Sequence, residues 1–185
     1  MVGQSAHAGL ASTVDSVERC DECGFDYDAT DWTEVGARVR AAAAATAALL
    51  ADATDVAATR PEPDRWSALE YAAHVRDVLI TIRDRLVIGL VEDDPGFKPM
   101  YRDQRVAFGL YAGDTVDAVA PEVVAAAAML ARLFDAIDPD ALARPVQYGF
   151  PDPERRTLLW MGRQAVHECE HHLDDMRENV ARLGG

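Results

Sequence analysis

The sequence predicts an all-α fold, a four-helix bundle with one long crossover between its second and third helices. Three observations lead there. Hydrophobic residues fill 49% of the 185 positions and fall in long, alanine-rich tracts. Strand-type alternation is scarce, and clusters of proline and glycine divide the chain into four periodic segments of helical spacing. A chain of this length suits a single core that needs no disulfides.

Residues 1–30 read as an N-terminal arm. Its first part, with Gly3, Ser5, Gly9, Ser12 and Thr13, shows no period, and His7 within it is assigned no role. Cys20-Asp21-Glu22-Cys23-Gly24 follows, two thiols at the spacing of half a zinc knuckle, with a glycine to permit a tight turn. Two more ligands would be needed, and the remaining cysteine, Cys169, projects about 200° around its helix from His167. The motif therefore stays open between reduced thiols, a second metal site completed by other residues or another subunit, and a redox pair. An odd count of three cysteines agrees with a reducing compartment.

Residues 31–185 read as the bundle. The first helix opens at Asp31, whose carboxylate caps it with Glu34 three residues on, and runs to about Asp55 with Val35, Val39, Ala42, Thr46, Leu49 and Leu50 as its stripe. Pro61 and Pro63 then break the chain. Ser67 and Glu70 form a capping box, with Trp66 able to staple onto Tyr71, and open a second helix that runs through Leu79, Ile82, Leu86 and Leu90 to Asp93-Asp94-Pro95-Gly96. The crossover over residues 93–114 carries Phe97, Tyr101, Phe108 and Tyr111, aromatic enough to cover one end of a pocket, and is helical around Tyr101 to Phe108. The third helix starts near Pro121 and ends at Asp138-Pro139; a start at Asp114 would put Pro121 inside it as a kink. A loop holding Pro145, Tyr148, Gly149, Pro151 and Pro153 leads to the fourth helix, from about Thr157 to Arg182.

Charge narrows the partners. A formal charge of −14, with no basic stripe to offset it, opposes a phosphate backbone. No apolar run of about 18 residues occurs and no basic, hydrophobic leader opens the chain, so a cytoplasmic protein without nucleic-acid or membrane partners is expected.

The fourth helix holds the densest chemistry. His167-Glu168-Cys169-Glu170-His171 matches the HExxH pattern of zinc proteases, but Asp174 and Arg177 stand where a longer protease motif needs glycine and a third histidine. Residues four apart share a helix face, so His167 and His171 can grip one divalent ion, and a third ligand has to come from elsewhere. His74 is the candidate. It lies two turns into the second helix, with Glu70 and Asp77 on the same face as acceptors for its second ring N–H. The competing reading is a histidine satisfied by those carboxylates without metal. If the second and fourth helices face each other, His74, His167 and His171 can converge.

Trp66-Ser67, Glu70, His74 and Asp77, together with Thr157-Leu158, His167-Glu168 and His171-His172-Leu173-Asp174-Asp175, resemble the two signatures of the DinB/YfiT-like superfamily, over about residues 30–182. The resemblance implies a four-helix bundle, a homodimer in many members, and a divalent metal such as zinc, nickel or iron. It implies His74, His167 and His171 as ligands, and leaves His172 as a neighbour facing about 100° away. Relatives include S-transferases that activate a low-molecular-weight thiol such as mycothiol or bacillithiol. The expectation is therefore a metal-held thiolate that attacks a small electrophile. Two alternatives are a non-catalytic metal- or ligand-binding stress module, and a metal-dependent hydrolase with Glu70 or Glu168 as base. Tyr148 and Arg163 are candidate pocket residues. The Cys20/Cys23 arm lies outside the resemblance.

Overall fold

Side-chain caps set where the long helices begin. In the computed structural model, which describes residues 18–149 and 151–184, a 3-10 turn over Trp32–Glu34, capped by Asp31, leads into α1 (Val35–Asp52). Both halves of the Ser67/Glu70 capping box are made at the start of α2 (Ala68–Val91), and the Trp66 ring lies 5.4 Å from Tyr71 as its staple. A one-and-a-half-turn α3 (Arg102–Ala107) interrupts the crossover. His7 lies outside the described residues.

Two expectations change. α4 spans Val116–Asp135, five residues ahead of Pro121, because the Thr115 hydroxyl accepts from the Ala118 amide and starts the helix there. Pro121 then sits in the second turn, where one backbone hydrogen bond is forgone. The loop before α5 (Leu158–Arg182) is an antiparallel hairpin, β1 (Pro145–Tyr148) against β2 (Glu154–Thr157), with Val146 opposite Arg156. Four-residue strands are too short to reveal an alternation among prolines.

The four long helices form the bundle. α1 and α2 each pack against both α4 and α5 while scarcely meeting each other, so the order around the bundle is α1, α4, α2, α5. Leu50, Leu79, Ile82, Leu86, Leu130, Phe134, Leu158, Met161 and Met176 are fully buried between them, each large apolar side chain worth about 1.5–3 kcal/mol. Gly162 admits the Phe134 ring, which a Cβ at that position would meet at 2.2 Å. No described helix is long and apolar enough to cross a membrane.

Two sets of contacts matter for the site. Buried Asn179 on α5 donates to the Trp66 carbonyl at 2.7 Å and accepts from Arg65 at 2.5 Å, which ties the start of α2, and hence His74, to α5. Residues 18–30 lie along the other flank of α5. There Tyr27 stacks on Trp160 with centroids 5.5 Å apart, Trp160 donates to Glu18, and Arg163 donates to the Thr30 carbonyl.

Candidate metal centre

α5 presents donors on two adjacent faces. His167 and His171 share one face, and Glu168 and His172, also four apart, share the next, about 100° around. The first face meets residues 18–30 and the second meets α2. Ligand atoms of His74, Glu168 and His172 lie within 4.8 Å of one another, and so do those of Cys20, Cys23, His167 and His171. His171, His172 and Asp175 form a third such group.

The set facing α2 is the buried one. His74 is 1% exposed, and its Nε2 lies 3.5 Å from Glu168 Oε2, with His172 Nε2 3.3 Å from the same oxygen. Burial would raise the Glu168 carboxyl, yet the His172 and His74 imidazoles hold it well below the usual range, so it is ionised. Burial would lower His172, but Asp175 and Glu168 push it up to about 9. Asp175 Oδ2, 2.9 Å from His172 Nδ1, accepts that N–H and aims Nε2 at Glu168. Gln164 donates to the other Glu168 oxygen at 2.5 Å.

A divalent cation fits these residues. Both ring nitrogens of His74 are buried without a hydrogen-bond partner, and leaving such a group unmet costs about 1–3 kcal/mol. Two imidazoles and one carboxylate form the donor set of open catalytic zinc sites and of facial non-haem iron sites. The carboxylate–imidazole pair of Asp175 and His172 is the usual way to orient such a ligand.

Space opens on both sides of this cluster. His74 and Glu168 line a cavity of about 200 Å³ with Arg85, Phe97, Lys98 and Tyr148. His172 lines a neighbouring cleft with Trp66 and Tyr71, and Arg102 reaches both. In a chain of charge −14, the only lysine and two arginines gather at this cavity. The crossover supplies Phe97 and Lys98, and the hairpin supplies Tyr148.

The expected ligand trio is not what the fold gathers. His74 meets Glu168 and His172, whereas His167 and His171 face Cys20 and Cys23. The reason is a rotation of one residue about the α5 axis, which swaps the face turned toward α2. Glu70 and Asp77 do not serve His74 either. Glu70 accepts from Arg60 at 2.6 and 2.8 Å and from the Ser67 amide. Asp77 anchors the crossover through Arg105 at 2.5 Å and Tyr111 at 3.0 Å. Tyr148 lines the cavity, while Arg163 is turned to Thr30. Cys169 is buried, away from both clusters.

A sequence model of the DinB superfamily matches residues 37–176, which takes in the four bundle helices and the His74, Glu168 and His172 cluster. The chain belongs to the DinB superfamily. No curated protein matches it. Among solved structures, YfiT from Bacillus subtilis, described as a probable metal-dependent hydrolase with an unusual four-helix bundle topology, is similar at 16% identity and a TM-score of 0.68. The match covers 80% of this chain and 87% of YfiT, and at that identity it establishes a shared fold. In this DinB-superfamily chain the residues that sequence reasoning did not group with His74 are Glu168 and His172, with Gln164 and Asp175 hydrogen-bonded behind them. A signal was present: Glu168 and His172 repeat the i, i+4 spacing of His167 and His171.

Proposed function

We propose that this DinB-superfamily protein is a divalent-metal enzyme, with His74, Glu168 and His172 as ligands, that delivers a low-molecular-weight thiol to a small electrophile bearing negative charge. The observation that carries the reading is the buried His74–Glu168–His172 cluster at the floor of a cavity flanked by Arg85, Lys98 and Arg102. When bound, a divalent ion supplies Lewis acidity that lets a thiol or water lose its proton near neutral pH. In the transfer the thiol sulfur bonds to the electrophilic carbon, the leaving group departs with the bonding pair, and the thiol proton passes to solvent.

The chain's own residues would position the reactants. Arg85 sits between the Phe97 and Tyr148 rings, 5.2 and 5.3 Å from their centroids, and donates to the Lys98 carbonyl, so its charge is held rigidly at the cavity wall. Such a guanidinium suits a carboxylate or phosphate. Burial pushes the Tyr148 phenol up while Arg85 pulls it down, and the net rise keeps the hydroxyl protonated. It can donate to a developing oxyanion. Glu168 is the sole carboxylate lining this cavity among the described residues, and it is taken up by imidazoles and Gln164. A nucleophile that ionises without a separate base, as a thiol does, suits that wall.

The histidine–glutamate–histidine donor set favours a second reading, hydrolysis by an activated water, and YfiT's description points the same way. Purified protein, stripped with chelator and reloaded with zinc, nickel or iron, separates the two. Consumption of monobromobimane that needs both metal and an added thiol supports transfer. Ester or amide cleavage without thiol supports hydrolysis, and tight metal with no turnover on either panel supports a binding module.

A further inference from the structure

The geometry points to a second metal site, a Cys2His2 zinc centre made by Cys20, Cys23, His167 and His171, that clips residues 18–30 onto α5. It is distinct from the His74–Glu168–His172 cluster and does not depend on the function proposed for that cluster.

The thiols are brought side by side by a tight loop. Gly24, at φ +73°, takes a left-handed conformation suited to glycine, its amide donates to the Cys20 carbonyl at 2.8 Å, and the Cys20 amide donates to the Phe25 carbonyl at 2.9 Å. One ligand atom from each of the four residues lies within 4.8 Å of the others, and Cys20 Sγ is 4.0 Å from His171 Nδ1. Zinc–sulfur and zinc–nitrogen bonds of about 2.3 and 2.0 Å put the corners of a tetrahedron roughly 3.5 Å apart. Closing the group onto an ion thus needs an adjustment of about 1 Å.

The ring nitrogens are already sorted. Tyr27 donates its hydroxyl to Gln164 Oε1 at 2.5 Å, so the Tyr27 phenol oxygen accepts from His167 Nδ1, 2.9 Å away. That assignment leaves His167 Nε2 with a free lone pair, and this atom is buried without a partner. On His171, the Glu22 and Asp175 carboxylates stand 3.4 and 3.6 Å from Nε2, on the side away from Cys20, and Nδ1 faces the Cys20 sulfur. His167 thus has its far nitrogen held and its near one open, the pattern of an oriented zinc ligand, and His171 turns Nδ1 toward the thiol with carboxylates beside its other nitrogen.

Charge agrees as well. Two thiolates and two neutral imidazoles balance a dipositive ion, and loading releases the two thiol protons to solvent. The spacing also agrees: Cys-x2-Cys with His-x3-His is a structural zinc ligand set, although the two halves lie at opposite ends of this chain. Because Tyr27 and Gln164 link His167 to Glu168, the centre also positions the ligand of the neighbouring cluster.

The test is metal counting on the full-length protein purified without added metal. The proposal expects one zinc per chain that survives gel filtration, is released in step with titration of the thiols by a mercurial, and is lost in Cys20→Ser/Cys23→Ser but kept in His74→Ala. Cobalt substitution needs no variant and should give the near-ultraviolet thiolate-to-cobalt band. Cys23→His, which keeps a ligand, should retain zinc where Cys23→Ser does not. Zinc content unchanged in the double serine variant, reaction of Cys20 and Cys23 without zinc release, no thiolate-to-cobalt band, or isolation of the protein with those two cysteines disulfide-bonded would each overturn it.

Discussion

Gln164 and Glu168, one turn apart on α5, are joined by a 2.5 Å hydrogen bond from the glutamine amide to a carboxylate oxygen. The bond leaves the other oxygen of Glu168 for His74 and His172. Gln164→Leu removes the donor without shortening the side chain greatly. Metal affinity at the His74 cluster should fall about 10- to 100-fold, the usual loss when such a supporting group is removed, read by competition with a fluorescent chelator. Tyr27→Phe should have a smaller effect there, since it leaves the Gln164–Glu168 bond in place.

Histidines 171 and 172 should separate cleanly. His172→Ala is expected to abolish metal at the bundle cluster and thiol-dependent turnover with it. His171→Ala should leave that ion bound, and elemental analysis of both variants in the Cys20→Ser/Cys23→Ser background, where only the bundle ion is counted, decides. Loss of the bundle ion in His171→Ala with retention in His172→Ala would restore the trio of His74, His167 and His171.

Glu70 is structural. Burial raises its carboxyl, but the Arg60 guanidinium and the Ser67 amide more than offset this and hold it below the usual carboxylate range. A depressed carboxyl contributes stability above its unfolded pKa and loses it as pH falls through the folded value. Glu70→Ala should therefore cost about 1–2 kcal/mol near neutrality through the lost cap and ion pair. The gap from wild type should shrink as the pH falls below the usual carboxylate range, as followed by urea denaturation.

Gly162→Ala tests the closest approach in the core. The added methyl would meet the Phe134 ring at 2.2 Å, and Phe134 is itself 1% exposed. Overpacking of this kind costs about 1–3 kcal/mol, against about 1 kcal/mol gained from helix propensity. A net drop in the urea midpoint is expected.

Much of the fold was legible because its signals are local. The Ser67/Glu70 box and the stripes of α1 and α2 lie within one or two turns of the backbone they organise. The hairpin was not legible, because its strands pair through backbone atoms across Gly149 with too few side chains to show a period. The site was half legible. His74 and the donors of α5 announce themselves, but His167, Glu168, His171 and His172 form two overlapping i, i+4 pairs. Which pair meets α2 depends on the roll of α5, set by Met161, Ala165, Leu173 and Met176 in the core. Likewise Cys20 and Cys23 reveal their partners only when residues 18–30 come to rest on that helix.

The bundle order α1, α4, α2, α5 has a kinetic corollary. Neither pair of long helices joined by the shorter connections, α1 with α2 or α4 with α5, packs as an adjacent hairpin. Three of the four major interfaces skip a long helix along the polypeptide, and the fourth, α2 with α4, closes across the long crossover, so the ordering entropy falls due before much of the stabilisation is gained. Refolding should be slower than in an up-and-down bundle of equal size, and its nucleus should draw on α4 together with both of its flanking partners.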